Sequence, residues 1–142
     1  MSDWLQDMLA RVPYAAFLGI TLERDGDGLR GLLPFSHDLI GVPQPPALHG
    51  GVTMAFLEVT ALSTLMHDVS VTQGVHLTAW PRTLDLSVDY LRPGLSQDSY
   101  ARASVTRAGR RYATVSVAAW QDDETRPFAQ AIGHFMMPEQ AS

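Results

Sequence analysis

The chain has 142 residues, 46% of them hydrophobic and none of them cysteine. That is enough for about one domain with its own core, and it excludes both a disulfide framework and a thiolate metal site. A net charge of −5 at pH 7 supplies no general field for nucleic acid, and no basic run supplies a local one. The opening MSDWLQDMLARVPY has neither the basic nor the apolar region of a secretory leader, and no later run approaches membrane-spanning length. The expectation is one domain over residues 1–142, in the cytoplasm, with no nucleic-acid or membrane partner. All ten basic residues are arginine. Genome composition is the simple explanation, although arginine also makes better bidentate phosphate contacts than lysine.

From Asp3 to Arg11, Trp4, Leu5, Met8 and Leu9 fall near one helical face, and Pro13 stops that helix from continuing. Gly19–Glu23 and Leu29–Phe35 flank Asp25-Gly26-Asp27-Gly28, the composition of a hairpin turn between two strands. Ser36–Pro46 carries Gly41, Pro43, Pro45 and Pro46 and reads as loop. Gly51 to about His67 contains no proline and no internal glycine, is too long for a strand, and is apolar all round, so it should be a helix buried by the rest of the fold. Val69–Pro81 gives no clear signal. Thr83–Leu91, Ser99–Arg107, Arg111–Gln121 and Phe128–Met136 read as strands, with a glycine-bearing turn between the second and third, a polar turn at Asp122–Pro127, and a frayed tail after Pro138. This order predicts an α+β domain in which a largely antiparallel sheet packs on one long helix.

Glu58 is the one acidic residue in the apolar stretch Leu48–Met66. Burying an unpaired carboxylate costs several kcal/mol, roughly, unless it is protonated, hydrogen-bonded or facing a wet cavity. A gap in the packing, or a pair with an arginine such as Arg82, would explain it without function. His49-Gly50-Gly51 just ahead of the helix favours chemistry instead, because bare glycines let a ligand approach backbone N–H groups at the positive end of the helix dipole. Gly50 and Glu58 are eight residues apart, roughly 12 Å at the helical rise, too far to share one carbonyl within a chain. Two protomers with antiparallel helices would bring the Gly50 N–H of one to the Glu58 of the other.

HGG followed by an acid nine positions after the histidine resembles the hotdog-fold acyl-CoA thioesterases of the phenylacetate-pathway and 4-hydroxybenzoyl-CoA types. VPY…LGI (Val12–Ile20), SVDYLRP (Ser87–Pro93) and GRRYATVSV (Gly109–Val117) extend the likeness over nearly the whole chain. The resemblance implies a sheet curled around the helix, a homodimer that completes the site, association into a homotetramer, and no metal or other cofactor. It makes Gly50 the oxyanion donor, Glu58 the general base or nucleophile, Thr83 a hydroxyl that positions water, and His49 mainly an organiser of the loop. Many members carry Asn or Gln six residues before the histidine. Pro43 stands there in this chain, with Gln44 beside it as a candidate replacement. Hydroxyacyl dehydratases of this fold place a histidine about fourteen residues before the acid, where this chain has Gln44, so that chemistry is disfavoured.

The expected reaction is hydrolysis of an acyl- or aryl-CoA thioester to free acid and coenzyme A. The rival expectation is a non-catalytic module that binds acyl-CoA as a sensor or carrier. An acidic protein must gather local positive charge to hold coenzyme A, and Arg92, Arg110 and Arg111 are the candidates, with Gly51 beside the thioester. His37, His67, His76 and His134 lack zinc-site spacing. Asp85 and Asp89 are expected to share a solvated or oligomer-contact face with Thr83 and Ser87. Trp80, Tyr90, Tyr100 and Trp120 are expected to be packing residues.

Overall fold

Pro13 does more than end the first helix. In a computed structural model describing residues 3–139, α1 (Asp3–Ala10) is followed at once by α2 (Pro13–Leu18), with proline in its first turn and Gly19 closing it at φ 75°. Proline suits a helix start because the N–H it lacks would have no partner there. This second helix was not expected from the sequence. α1 buries Leu5, Met8 and Leu9. Its Trp4 stacks on His76 and donates Nε1–H to the Leu77 carbonyl at 3.2 Å, which ties down the segment that gave no clear signal.

β1 (Thr21–Asp25) and β2 (Gly28–Leu33) form the expected hairpin. The proline-rich stretch is more ordered than a loop. After a 3₁₀ turn at His37–Leu39, β3 (Ile40–Pro43) pairs with β4 (Pro46–Leu48) in a small separate ribbon, Pro43 facing Pro46 beside the turn. Proline is tolerated there because a ribbon end demands no ladder N–H from it.

α3 spans Gly50–Gln73, six residues beyond the expected end at His67, and stops at Gly74, whose φ of 66° is the left-handed cap that glycine adopts without strain. It lies against a six-stranded antiparallel sheet, ordered β1-β2-β6-β7-β8-β5, completed by β5 (Arg82–Tyr90), β6 (Ser99–Ala108), β7 (Tyr112–Trp120) and β8 (Ala129–Met136). Phe56, Leu57, Leu65 and Met66 of the helix are fully buried in one core with Leu29, Leu33, Val115 and Phe135 of the sheet. Each such side chain contributes about 1.5–3 kcal/mol by leaving water. Gly31 allows the closest approach: a Cβ there would lie 2.6 Å from Thr60 Oγ1. The result is the helix-in-sheet arrangement expected of the hotdog fold. The end of the frayed tail expected after Pro138 lies outside the described residues.

Candidate active site

The turn ahead of α3 is held by nearly every polar group it has. Leu48 N–H donates to the Gly94 carbonyl at 3.0 Å, and His49 N–H to the Leu39 carbonyl at 2.8 Å. The His49 side chain then caps the helix, its Nδ1 accepting from Gly51 N–H at 2.9 Å. Accepting there leaves the neutral ring's proton on Nε2. Two glycines are shaped by this cap. A Cβ on Gly51 would sit 3.0 Å from the imidazole, and a Cβ on Gly41 in β3 would sit 2.6 Å from His49 Cα. Gly50 is different: a Cβ would meet only the Tyr90 hydroxyl and ring, at 3.4 Å or more. Among the described residues no hydrogen bond engages Gly50 N–H, so an amide at the positive end of a long helix faces outward.

Glu58 lies two turns further along on the least buried stripe of α3, with Gly51, Met54, Ala55 and Leu62. Its Oε2 accepts the Thr83 hydroxyl at 2.9 Å. The ion pairs among the described residues are Arg30–Glu23, Arg102–Asp25, Arg102–Glu124 and His134–Asp85, so Glu58 has no cation partner and the pairing with Arg82 is not formed.

Thr83 does not share the face of Asp85 and Asp89. Alternation alone would place it there, but β5 is irregular at Leu84: Thr83 pairs with buried Phe135, and Asp85 with the next residue back along β8, outward-facing His134. Two steps of β5 are matched by one of β8, a bulge that turns Thr83 toward the helix while Asp85 bonds His134 outside.

A carboxylate bonded to a hydroxyl and an unengaged helix-start amide are groups that can act on a carbonyl. The sequence profile described as the thioesterase superfamily matches residues 46–128. The chain belongs to the thioesterase superfamily. The medium/long-chain acyl-CoA thioesterase YigI of Salmonella typhimurium is 32% identical over 122 residues, covering 80% of this chain and 78% of its own. YigI of Escherichia coli K12 is 31% identical with the same coverage. Among solved structures, a Pseudomonas aeruginosa protein superposes with a TM-score of 0.78 at 29% identity, over 96% of this chain and 98% of its own. A Chromobacterium violaceum protein gives 0.72 at 34%, over 95% and 90%.

Within this thioesterase-superfamily chain the three expected coenzyme A arginines are not brought together. Arg92 follows β5 at the end near Gly50, where its N–H bonds the Phe128 carbonyl. Arg110 and Arg111 sit at the other end, in the β6–β7 turn, and with Tyr112, Met136 and Met137 they line a concavity of about 830 Å³. Arg82, not singled out as a substrate contact, is at that same end, opposite Met136. Gln44 lies exposed in the β3–β4 turn and makes no side-chain hydrogen bond among the described residues. Tyr90, expected as packing, is instead exposed, and its hydroxyl reaches the Gly50 carbonyl at 2.7 Å. No local signal marks that contact, because it spans forty positions of sequence.

Hydrogen bonds from Arg102, then its charge, hold the Asp25 carboxyl below its ordinary value, and hydrogen bonds to Glu124 and Asp25 raise Arg102 itself. That network is on the sheet face away from the helix, since neighbouring Ala101 is the fully buried one. Among the described residues no helix is long and apolar enough to cross a membrane, and no three metal-ligating side chains gather.

Proposed function

We propose that the protein hydrolyses acyl-CoA thioesters in a site built across a homodimer, with Gly50 N–H of one protomer stabilising the oxyanion and Glu58 of the other acting on water or on the carbonyl carbon. The Thr83 hydroxyl on an otherwise unpaired Glu58 carries this reading. It leaves the second carboxylate oxygen for a proton or a bond, and Thr83 orients the group as a general base or nucleophile requires.

The case for two chains rests on β5. It is the terminal strand of the sheet, exposed along most of its length, with Thr83 near one end and Tyr90, on Gly50, at the other. Seven residues of strand span about 23 Å. Two β5 strands paired antiparallel about Ser87, with the bulge at Leu84 taking no rung of its own, set Thr83 of one beside the partner's Tyr90, and with them Glu58 beside the partner's Gly50. The same pairing brings Arg92 toward the partner's Arg110 and Arg111, gathering the cations that one chain separates, and coenzyme A phosphates need such local charge. A homotetramer of two such dimers is the assembly we assign, with Gln44 lending its amide from the ribbon tip.

Met54, Ala55 and Leu62 flank Glu58 on the open stripe of the helix and offer no hydrogen-bonding side chain. An apolar lining suits an aliphatic tail, in keeping with relatives named medium/long-chain acyl-CoA thioesterases. We therefore assign medium and long acyl chains ahead of aryl groups.

Thiol release from acetyl-, decanoyl-, palmitoyl- and benzoyl-CoA tests the assignment. Decanoyl- and palmitoyl-CoA should turn over fastest, and Glu58→Gln should lower kcat by about 10³-fold, within the range for loss of an acid–base group. Equal background rates in the parent, Glu58→Gln and Glu58→Ala would replace the enzyme with an acyl-CoA-binding module. A protein that sediments as a monomer yet turns over normally would overturn the shared site.

A further inference from the structure

We propose that Tyr90 is a positioning residue for the Gly50 amide, so that β5 aligns both halves of the reaction: Thr83 at one end sets the carboxylate and Tyr90 at the other sets the oxyanion donor. The inference rests on the thioesterase reading above and adds to it a residue and a role.

The peptide group joining Gly50 to Gly51 is gripped at both polar ends. Its N–H donates to His49 Nδ1 at 2.9 Å, and its C=O accepts the Tyr90 hydroxyl at 2.7 Å. By the helical pattern this carbonyl also receives the N–H four residues on, so Tyr90 supplies a second, lateral restraint. The neighbouring peptide, between His49 and Gly50, carries the N–H assigned to the oxyanion. That peptide's own carbonyl, on His49, accepts Thr53 N–H at 3.1 Å, which holds one end of its plane; two successive glycines place few steric limits on their dihedrals, so the freedom that remains to the N–H depends on what holds the adjoining plane. The Tyr90 ring adds a wall, its nearest atoms 3.4–3.6 Å from where a Gly50 Cβ would be.

The geometry also separates this role from ordinary packing. Within one protomer Tyr90 is 54% exposed and outside the buried core, so the fold of the single chain gains little from its ring. Its hydroxyl donates to Gly50, not to a substrate position, so it acts through the amide. An oxyanion donor works by being fixed where charge develops, and a misplacement near 1 Å can cost on the order of 10²-fold in rate. Loss of one lateral restraint should cost less, about tenfold.

Tyr90→Phe and Tyr90→Leu in the full chain provide the test, read by thiol release from decanoyl-CoA and by amide exchange at Gly50 and Gly51 in nuclear magnetic resonance. Tyr90→Phe should lower kcat about tenfold with KM within about twofold, the split expected when only transition-state stabilisation is lost. It should speed Gly51 amide exchange and leave the melting temperature nearly unchanged, and Tyr90→Leu should be no more active than Tyr90→Phe. An unchanged Gly51 exchange rate, or a kcat equal to the parent's despite a changed one, would overturn the proposal. Lack of thiol release by the parent would instead count against the thioesterase reading, and the exchange arm would still report whether Tyr90 holds the turn.

Discussion

The two functional ends of α3 are held in opposite ways. At the glycine end, the backbone groups of Leu48, His49, Gly50 and Gly51 are fastened by Gly94, Leu39, Tyr90 and the His49 ring. At the acidic end, among the described residues one hydroxyl bonds Glu58 and no cation pairs with it. An amide that stabilises a developing charge gains from being fixed beforehand. A carboxylate that must take a proton or form a bond would be weakened by an arginine clamp, which stabilises the anion and so lowers its basicity and nucleophilicity. The difference in restraint thus follows the difference in chemical task.

Substitution can test that contrast from both sides. After the roughly 10³-fold loss expected for Glu58→Gln, the next largest effect is expected at Gly50→Ala: the nearest contact for the new methyl is 3.4 Å away, so the chain should fold, yet the methyl stands beside the outward amide and kcat should fall about 10²-fold. Equal loss of melting temperature and activity would make Gly50 a packing residue instead. Next is Thr83→Val, which removes the one side-chain hydrogen bond to Glu58 among the described residues and should lower kcat about tenfold, a modest value because the bond is open to water. Thr83→Ser should recover most of the rate.

His49→Ala belongs to the other class. It should lower stability to urea by about 1 kcal/mol, the usual worth of a helix cap, whereas Thr83→Val should leave the urea midpoint in place. The smallest effect lies outside the site. Because Arg102 depresses the folded-state pKa of Asp25, the pair's contribution is complete above the ordinary carboxylate pKa and fades as pH falls through the lowered one. Asp25→Asn should flatten that acid limb of the stability profile without changing turnover at neutral pH.

Most elements were legible because their signals are local. Alternation marked β5 to β8, and the proline-free apolar run marked α3. The misses share a cause: one residue had two meanings. Pro13 both ends α1 and begins α2, and the pairing with Gly19 six positions later was the signal for the latter. The β-branched run after His67 weakened the helical reading, although Gly74 marked the true end. Pro43 and Pro46 suggested loop where they bracket a ribbon turn. Of the candidate site, His49, Gly50 and Glu58 could be singled out because they stand in one short motif. Tyr90 on Gly50 and the separation of Arg92 from Arg110 and Arg111 could not, since strand order and register place them. The inward face of Thr83 was hidden more deeply, because regular alternation pointed the wrong way.

The irregularity at Leu84 means that a headcount along the chain, not any side chain's identity, aims the hydroxyl inward. Excising Leu84 would restore plain alternation and leave Thr83 on the helix side, whereas excising Leu86 would invert every position between there and the bulge. The first shortened chain would keep its chemistry and, because the extra residue takes no rung of the ladder, the register on which a paired β5 depends.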